Sequence, residues 1–230
     1  MPTDGGTIAN RITDLIGSQY TDAAYYGDLI NAAINEIADM VSEDLLMKYS
    51  KTPGILESNS EWLVEDRKIL KVTRVDSDSS GIERECLPVD RDVFSRASDS
   101  NSIYKATVYS PIYHLDSAND GAATLKILPE PTTPQKGRIW YFSYIADSAD
   151  TSGVTGATLN SSYYLPSNLI HAIALKSSVN ILSAYISNQV QDEEDSELLG
   201  MVNAQKQSLE GQFQSEIQRF MDESGKPGSE

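Results

Sequence analysis

The sequence is nearly without thiols, has little histidine, and is short of positive charge. Cys86 is the one cysteine among 230 residues, so no disulfide forms within the chain. Such usage suits a reducing compartment. His114 and His171 are the two histidines, which leaves little imidazole for proton transfer or metal binding. Eighteen Lys and Arg face 34 Asp and Glu, for a formal net charge of −16. A chain this acidic lacks the electrostatic footprint needed to wrap nucleic acid, and an anionic membrane surface repels it. Lining a path along which DNA slides is still compatible with that charge, because repulsion prevents sticking. No uninterrupted apolar run approaches the roughly 18 residues of a membrane helix. The start, MPTDGGTIAN, has neither the basic residues nor the apolar run of a secretion signal.

Reactive motifs are equally scarce. There is no G-x-x-x-x-G-K-S/T phosphate loop, and Gly225-Lys226-Pro227 does not resemble one. Gly153 and Gly156 do not complete G-x-G-x-x-G, and no strand leads into them as that motif requires. G-x-S-x-G and H-E-x-x-H are missing too. Asp76-Ser77-Asp78-Ser79-Ser80-Gly81 matches the first half of a calcium loop, but position twelve is Leu87, where a bidentate Glu is needed. A hairpin turn is the simpler reading. For His114, His171 and Cys86, packed or exposed side chains are simpler readings than a base, a ligand or a nucleophile. The sequence therefore predicts no catalytic residue, no cofactor and no metal.

What the sequence does contain is helical periodicity at both ends and strand signals between them. A first helix is expected over residues 7–18, capped by Thr7, with Ile8, Ile12, Leu15 and Ile16 on one face. A longer one is expected over 23–49. There Tyr26, Leu29, Ile30, Ala33, Ile34, Ile37, Val41 and Leu45 form a stripe, while Asp28, Asn31, Asn35, Glu36, Asp39 and Glu43 lie off it. Residues 62–147 read as an inserted β-rich domain with strands at 69–75, 82–89, 102–109, 124–128 and 138–145 and a helical turn at 90–97. Residues 148–162, SADTSGVTGATLNSS, read as a flexible connection. A third helix, over 167–190, is apolar on more than one face and interleaved with small residues, as a central helix would be. The fourth, over 193–221, is polar apart from Leu198, Val202, Leu209, Phe213, Ile217 and Phe220. The acids Asp192–Asp195 fit its positive N-terminal end, each stabilising by roughly 0.3–1 kcal/mol, and so mark a corner between two helices. Residues 223–230 read as a flexible tail. The expected class is α+β: an antiparallel helical bundle from residues 1–50 and 163–222, interrupted by an antiparallel β-sheet or small β-barrel.

This order of parts resembles the head-to-tail adaptor, or connector, proteins of tailed bacteriophages, especially the larger type with a β insertion. The resemblance rests on Tyr20-Thr21-Asp22 through Asn35-Glu36-Ile37, on Leu165-Pro166 before the third helix, and on the run from Asp192 to Glu197. It covers most of the chain. It implies a virion neck protein without catalysis, assembled in the host cytoplasm. About twelve copies would form a ring beneath the portal protein, extend the channel for passing DNA without sequence-specific contact, and dock the tail or nozzle protein. Such a ring would carry on the order of −190 charges. The C-terminal segment would reach the portal, which makes Phe220, Met221, Lys226 and Pro227 candidate portal contacts. The inserted strands would face outward or toward the tail, with Trp140, Tyr141 and Tyr144 as candidate contacts. No membrane is involved. Another non-enzymatic virion part, such as a tail-completion or decoration protein, is the alternative. A small domain that binds carbohydrate or calcium is a further one.

Overall fold

The computed structural model describes residues 6–20, 26–49, 53–57, 62–64, 66–76, 81–117, 123–146, 149, 151–163, 165–189 and 196–224. The chain is α+β and divides into two compact units. One joins residues 1–49 to 145–230, and the other is continuous, 50–144. The helices are α1 (Ile8–Ile16), α2 (Tyr26–Met40), α3 (Glu43–Tyr49), α4 (Arg91–Ser98), α5 (Gly156–Tyr163), α6 (Ile170–Gln189) and α7 (Ser196–Ser224). The strands are β1 (Gly54–Leu56), β2 (Trp62–Leu63), β3 (Arg67–Val75), β4 (Glu83–Glu85), β5 (Leu87–Pro88), β6 (Ile112–Ser117), β7 (Ala123–Leu128) and β8 (Gly137–Ser143).

In the first unit α6 is the central element, packed against α1, α2 and α7. Its small residues Ala172, Ala174, Ser177 and Ser178 are buried, which lets neighbouring helices approach closely. The hydroxyls of Ser178 and Ser183 bond back to the carbonyls of Ala174 and Val179, at 2.8 and 2.7 Å. Lys176 pairs with Glu36 of α2 at 2.6 Å and stands over the ring of Phe213 of α7. With its preceding turn, α6 spans Ser167–Asn188 and is long and apolar enough on average to cross a membrane. Polar residues punctuate the helix, so its apolar character is an average and not an uninterrupted run. It is a mostly buried core helix here, since its neighbours supply the apolar surroundings.

The expected second helix is two helices. α2 stops at Met40 and α3 starts at Glu43. The Ser42 carbonyl accepts from the amides of Leu45 and Leu46. Glu43 and Asp44 occupy the first turn of α3, where the positive end of a helix favours them. Ser42 with two acids after it is a helix-start signal inside an apolar stripe. α1 ends as expected at Gly17, whose φ of 86° is the left-handed conformation open to glycine. Thr7 caps α1 by accepting from the Asn10 amide. The acids at 192–195 lie outside the described residues.

Two residues placed off the stripe of α2 are structural. Asn31 is fully buried. Its amide donates to the carbonyls of Ala146 and Ala149, at 3.0 and 2.8 Å, and its carbonyl accepts from the Thr151 hydroxyl at 2.5 Å. Asn35, one turn on, donates to the Ile145 carbonyl and accepts from the Ile145 amide, at 3.0 and 2.9 Å. The Ser152 and Val154 carbonyls in turn accept from the amides of Ala9 and Ile8, at 3.0 and 2.9 Å. They satisfy two of the unpaired donors at the start of α1. The stretch read as a flexible connection therefore contains a helix and the buried residues Thr151, Val154 and Leu159. Small polar residues here follow a backbone held by asparagine side chains.

The second unit is two four-stranded sheets, ordered β1-β8-β3-β4 and β2-β7-β6-β5. Leu56, Val72 and Ile139 of the first meet Leu125 and Ile127 of the second in one core, with Cys86 among them. Gly137 lies where the sheets come close: a Cβ there would stand 2.7 Å from Ile127 and 3.2 Å from Leu56. The expected strand 82–89 is broken at Cys86. β4 pairs with β3 in one sheet and β5 with β6 in the other, so the chain changes sheets at this residue. β5 and β6 are parallel, which corrects the purely antiparallel expectation. A parallel pair needs a long crossover, and residues 89–111 supply it, with α4 inside. That is why residues 102–109, expected as a strand, are a loop holding half of the isolated bridge from Thr107 to Ser110. An extra residue in β3 between Ile69 and Lys71 makes a bulge opposite Tyr141 and Trp140. Counting from the sequence, the first unit has 20 acidic and six basic residues, and the second has 14 and 12.

Replacing Asn31 by Ala should destabilise the protein by about 2–3 kcal/mol, since it removes three hydrogen bonds of a buried side chain and strands the Thr151 hydroxyl. Urea denaturation should show a lower midpoint with an unchanged slope.

Candidate interaction site

A concave feature lies where α2, α3 and the end of α7 meet. It is an open groove of about 680 Å³ lined by Val41, Ser42, Asp44, Leu45, Met47, Lys48, Phe220 and Met221. The break at Ser42 creates it, because an unbroken helix would carry Leu45 and Met47 straight on. Its lining is mainly apolar, with Asp44 and Lys48 as the charged residues. Phe220, expected as a partner contact, is buried in the helical unit and forms a wall. Met221 beside it is 39 % exposed and is the residue of the pair open to a partner. Lys226 and Pro227 lie outside the described residues. Groove-lining Val41, Leu45 and Met47 were not expected as site residues. The signal for them was Ser42-Glu43-Asp44, which starts a helix and so turns the apolar stripe.

The aromatic candidates of β8 are not one surface. Tyr141 packs on Trp62 with ring centres 4.9 Å apart, and the Arg67 guanidinium covers both rings. Its ring closes the margin of the sheet core. Tyr144 meets Phe142 edge-on at 5.8 Å. Trp140 is half-buried, its register partner being Lys71. Alternation along β8 puts Trp140 and Tyr141 on opposite faces, and Tyr144 lies just past the end of the strand.

Groups with chemical potential are occupied by packing. The Arg74 guanidinium, almost fully buried, donates to the carbonyls of Pro129, Val75 and Glu130 and to Oε1 of Gln135. It fixes the loop after β7, and burial lowers its pKa. His114 holds the Val89 carbonyl through Nδ1 at 3.0 Å and stacks on Phe94. His171 lines a shallow hollow with Leu175 of α6 and Gln212, Glu216 and Arg219 of α7. Among the described residues no three of His, Cys, Asp and Glu converge as a metal site would require. The 77–80 part of the calcium-like turn lies outside the described residues. No protein-family model matches this chain, and no curated protein shows significant similarity to it.

Burial pushes the Cys86 thiol up to about 12, against an opposing effect of the Arg74 charge. The thiol should be inert to a disulfide reagent at pH 8 and react once guanidinium unfolds the chain. The folded thiol stays protonated while an unfolded one ionises near 9, so this contribution to stability is complete below pH 9. It is lost as pH rises toward 12, and the urea midpoint should fall over that window.

Proposed function

We propose that this chain is a structural, non-catalytic virion protein: a head-to-tail adaptor in the neck of a tailed phage. It assembles as a ring beneath the portal protein, extends the DNA channel and gives the tail or nozzle a docking surface. On this reading the helices form an antiparallel bundle drawn from both ends of the chain, and the strand unit is an insertion into it. The observation that carries the reading is the packing of α1 and α2 against α6 in one unit while the chain between them folds as another.

Two further features support it. The helical unit holds most of the excess negative charge, 20 acids against six bases. A ring of such units repels passing DNA and lets it slide. The groove at the end of α7 sits just before the segment assigned to the portal, and its apolar lining suits a helix or loop of the portal protein.

The test is binding to the portal ring of the same phage, with location in the virion by electron microscopy. Met221→Asp should weaken portal binding about tenfold or more by placing a charge in the groove, with melting temperature unchanged. Deletion of residues 225–230 should weaken it as well. A wild-type chain that binds no portal and lies elsewhere in the virion overturns the reading. Normal binding by both variants removes the groove and the tail from it.

A further inference from the structure

The crossover from α4 to β6 presents an apolar projection. Ile103 is 91 % exposed, Tyr109 72 % and Tyr104 62 %. Exposed apolar side chains that cluster this way mark contact sites. The projection is built rather than loose. The Ser102 amide donates to the Asp99 carbonyl, the Lys105 amide to the Ser102 carbonyl and the Tyr104 amide to the Ser102 hydroxyl, each at 3.1 Å. The Ala106 amide donates to the Ala97 carbonyl, and buried Ala106 anchors the loop beneath α4. Arg84 lies over the Tyr109 ring at 5.0 Å. Lys105 is the one charged residue in 100–110.

The same unit has a recess around the other end of α4. It is about 500 Å³ and is lined by Pro88, Val89, Asp90, Val93, Tyr113, His114 and Leu115. Val93 and Leu115 at its mouth are each 44 % exposed. Asp90 stands at the N-cap of α4, yet its carboxylate makes no capping bond. The knob leaves one end of an eight-residue helix and the recess sits at the other, about 12 Å away along the axis.

We propose that the projection Ile103-Tyr104-Lys105 of one copy seats in the Asp90–Val93–Leu115 recess of a second copy of this chain. The complementarity argues for a second copy. Lys105 on the tip, with Arg84 over Tyr109 beside it, meets a carboxylate that makes no capping bond at its own helix, on a chain whose copies otherwise repel one another at −16 each. Knob and recess are different patches, so the contact is head-to-tail, and such contacts generate rings or filaments instead of closed pairs. This names the copy-to-copy contact of the adaptor ring and in that respect rests on the proposed function.

The experiment is disulfide trapping in the full chain, with buried Cys86 left in place. A disulfide forms only where Cα atoms come within about 7 Å. Ile103→Cys with Val93→Cys in one chain should give a ladder of multimers on oxidation at high protein concentration. An equal mixture of the two single variants should give dimers, and each single variant alone should stay monomeric. Lys105→Glu should weaken trapping about tenfold, and adding Asp90→Lys should restore it. Dimers from Ile103→Cys alone would show a symmetric contact and overturn the proposal. So would a mixture that traps no more than the single variants, which leaves the knob for another protein. The portal assay separates the two readings. A wild-type chain that forms the ladder but ignores the portal keeps the contact and loses the adaptor role. One that binds the portal without trapping does the reverse.

Discussion

Asn31 and Asn35 hold the returning chain to α2, and the helical unit depends on that hold. Five hydrogen bonds from two side chains one turn apart tie residues 145–151 to a helix formed more than a hundred residues earlier. Backbone groups that enter a core must find partners, and the described residues Ile145, Ala146, Ala149 and Thr151 lie in no strand or helix that could supply them. The asparagines do so, with donor and acceptor on one short, stiff side chain. The carbonyls just beyond, at Ser152 and Val154, then receive the first amides of α1. One crossing segment thereby links α1, α2 and the approach to α6. Burying such polar groups is costly unless every one is paired. The pairing thus specifies one path for the chain.

The strand unit meets a similar demand with different chemistry. Buried Arg74 gathers three carbonyls and a glutamine oxygen around the loop after β7, in place of a strand that would otherwise satisfy them. Cys86 marks the change of sheet between β4 and β5, where a small apolar side chain fits the shared core. The parallel pair that follows requires the long crossover. That crossover is what provides α4, the recess at its start and the projection after its end. A topological requirement thus leaves an apolar knob and a recess of mixed polar and apolar lining on one unit.

Much of the helical unit was legible because helix periodicity is local. Thr7, Gly17, the stripe of α2 and the all-round apolar character of α6 mark those elements where they stand. Strands were less legible. β1 and β2 are three and two residues long, too short for alternation to register, and 102–109 has strand composition but forms a loop. Site residues were the least legible. Tyr141 and Phe220 are aromatic for packing reasons, and the open positions Ile103, Tyr104 and Met221 look no different in sequence from core residues. Exposure is decided by what lies opposite, and that is supplied by residues distant along the chain.

By itself the sequence determined the charge, the scarcity of thiol and imidazole, and the positions of the long helices, because composition and period are properties of neighbouring residues. The tertiary structure alone decided that Asn31 and Asn35 are buried clamps, that Phe220 walls the groove begun at Ser42, that two sheets form instead of one, and which apolar side chains stay in water. Each of these is set by contacts across large sequence separations, and whether a polar group is paired or an apolar one covered is fixed only when the distant segment arrives.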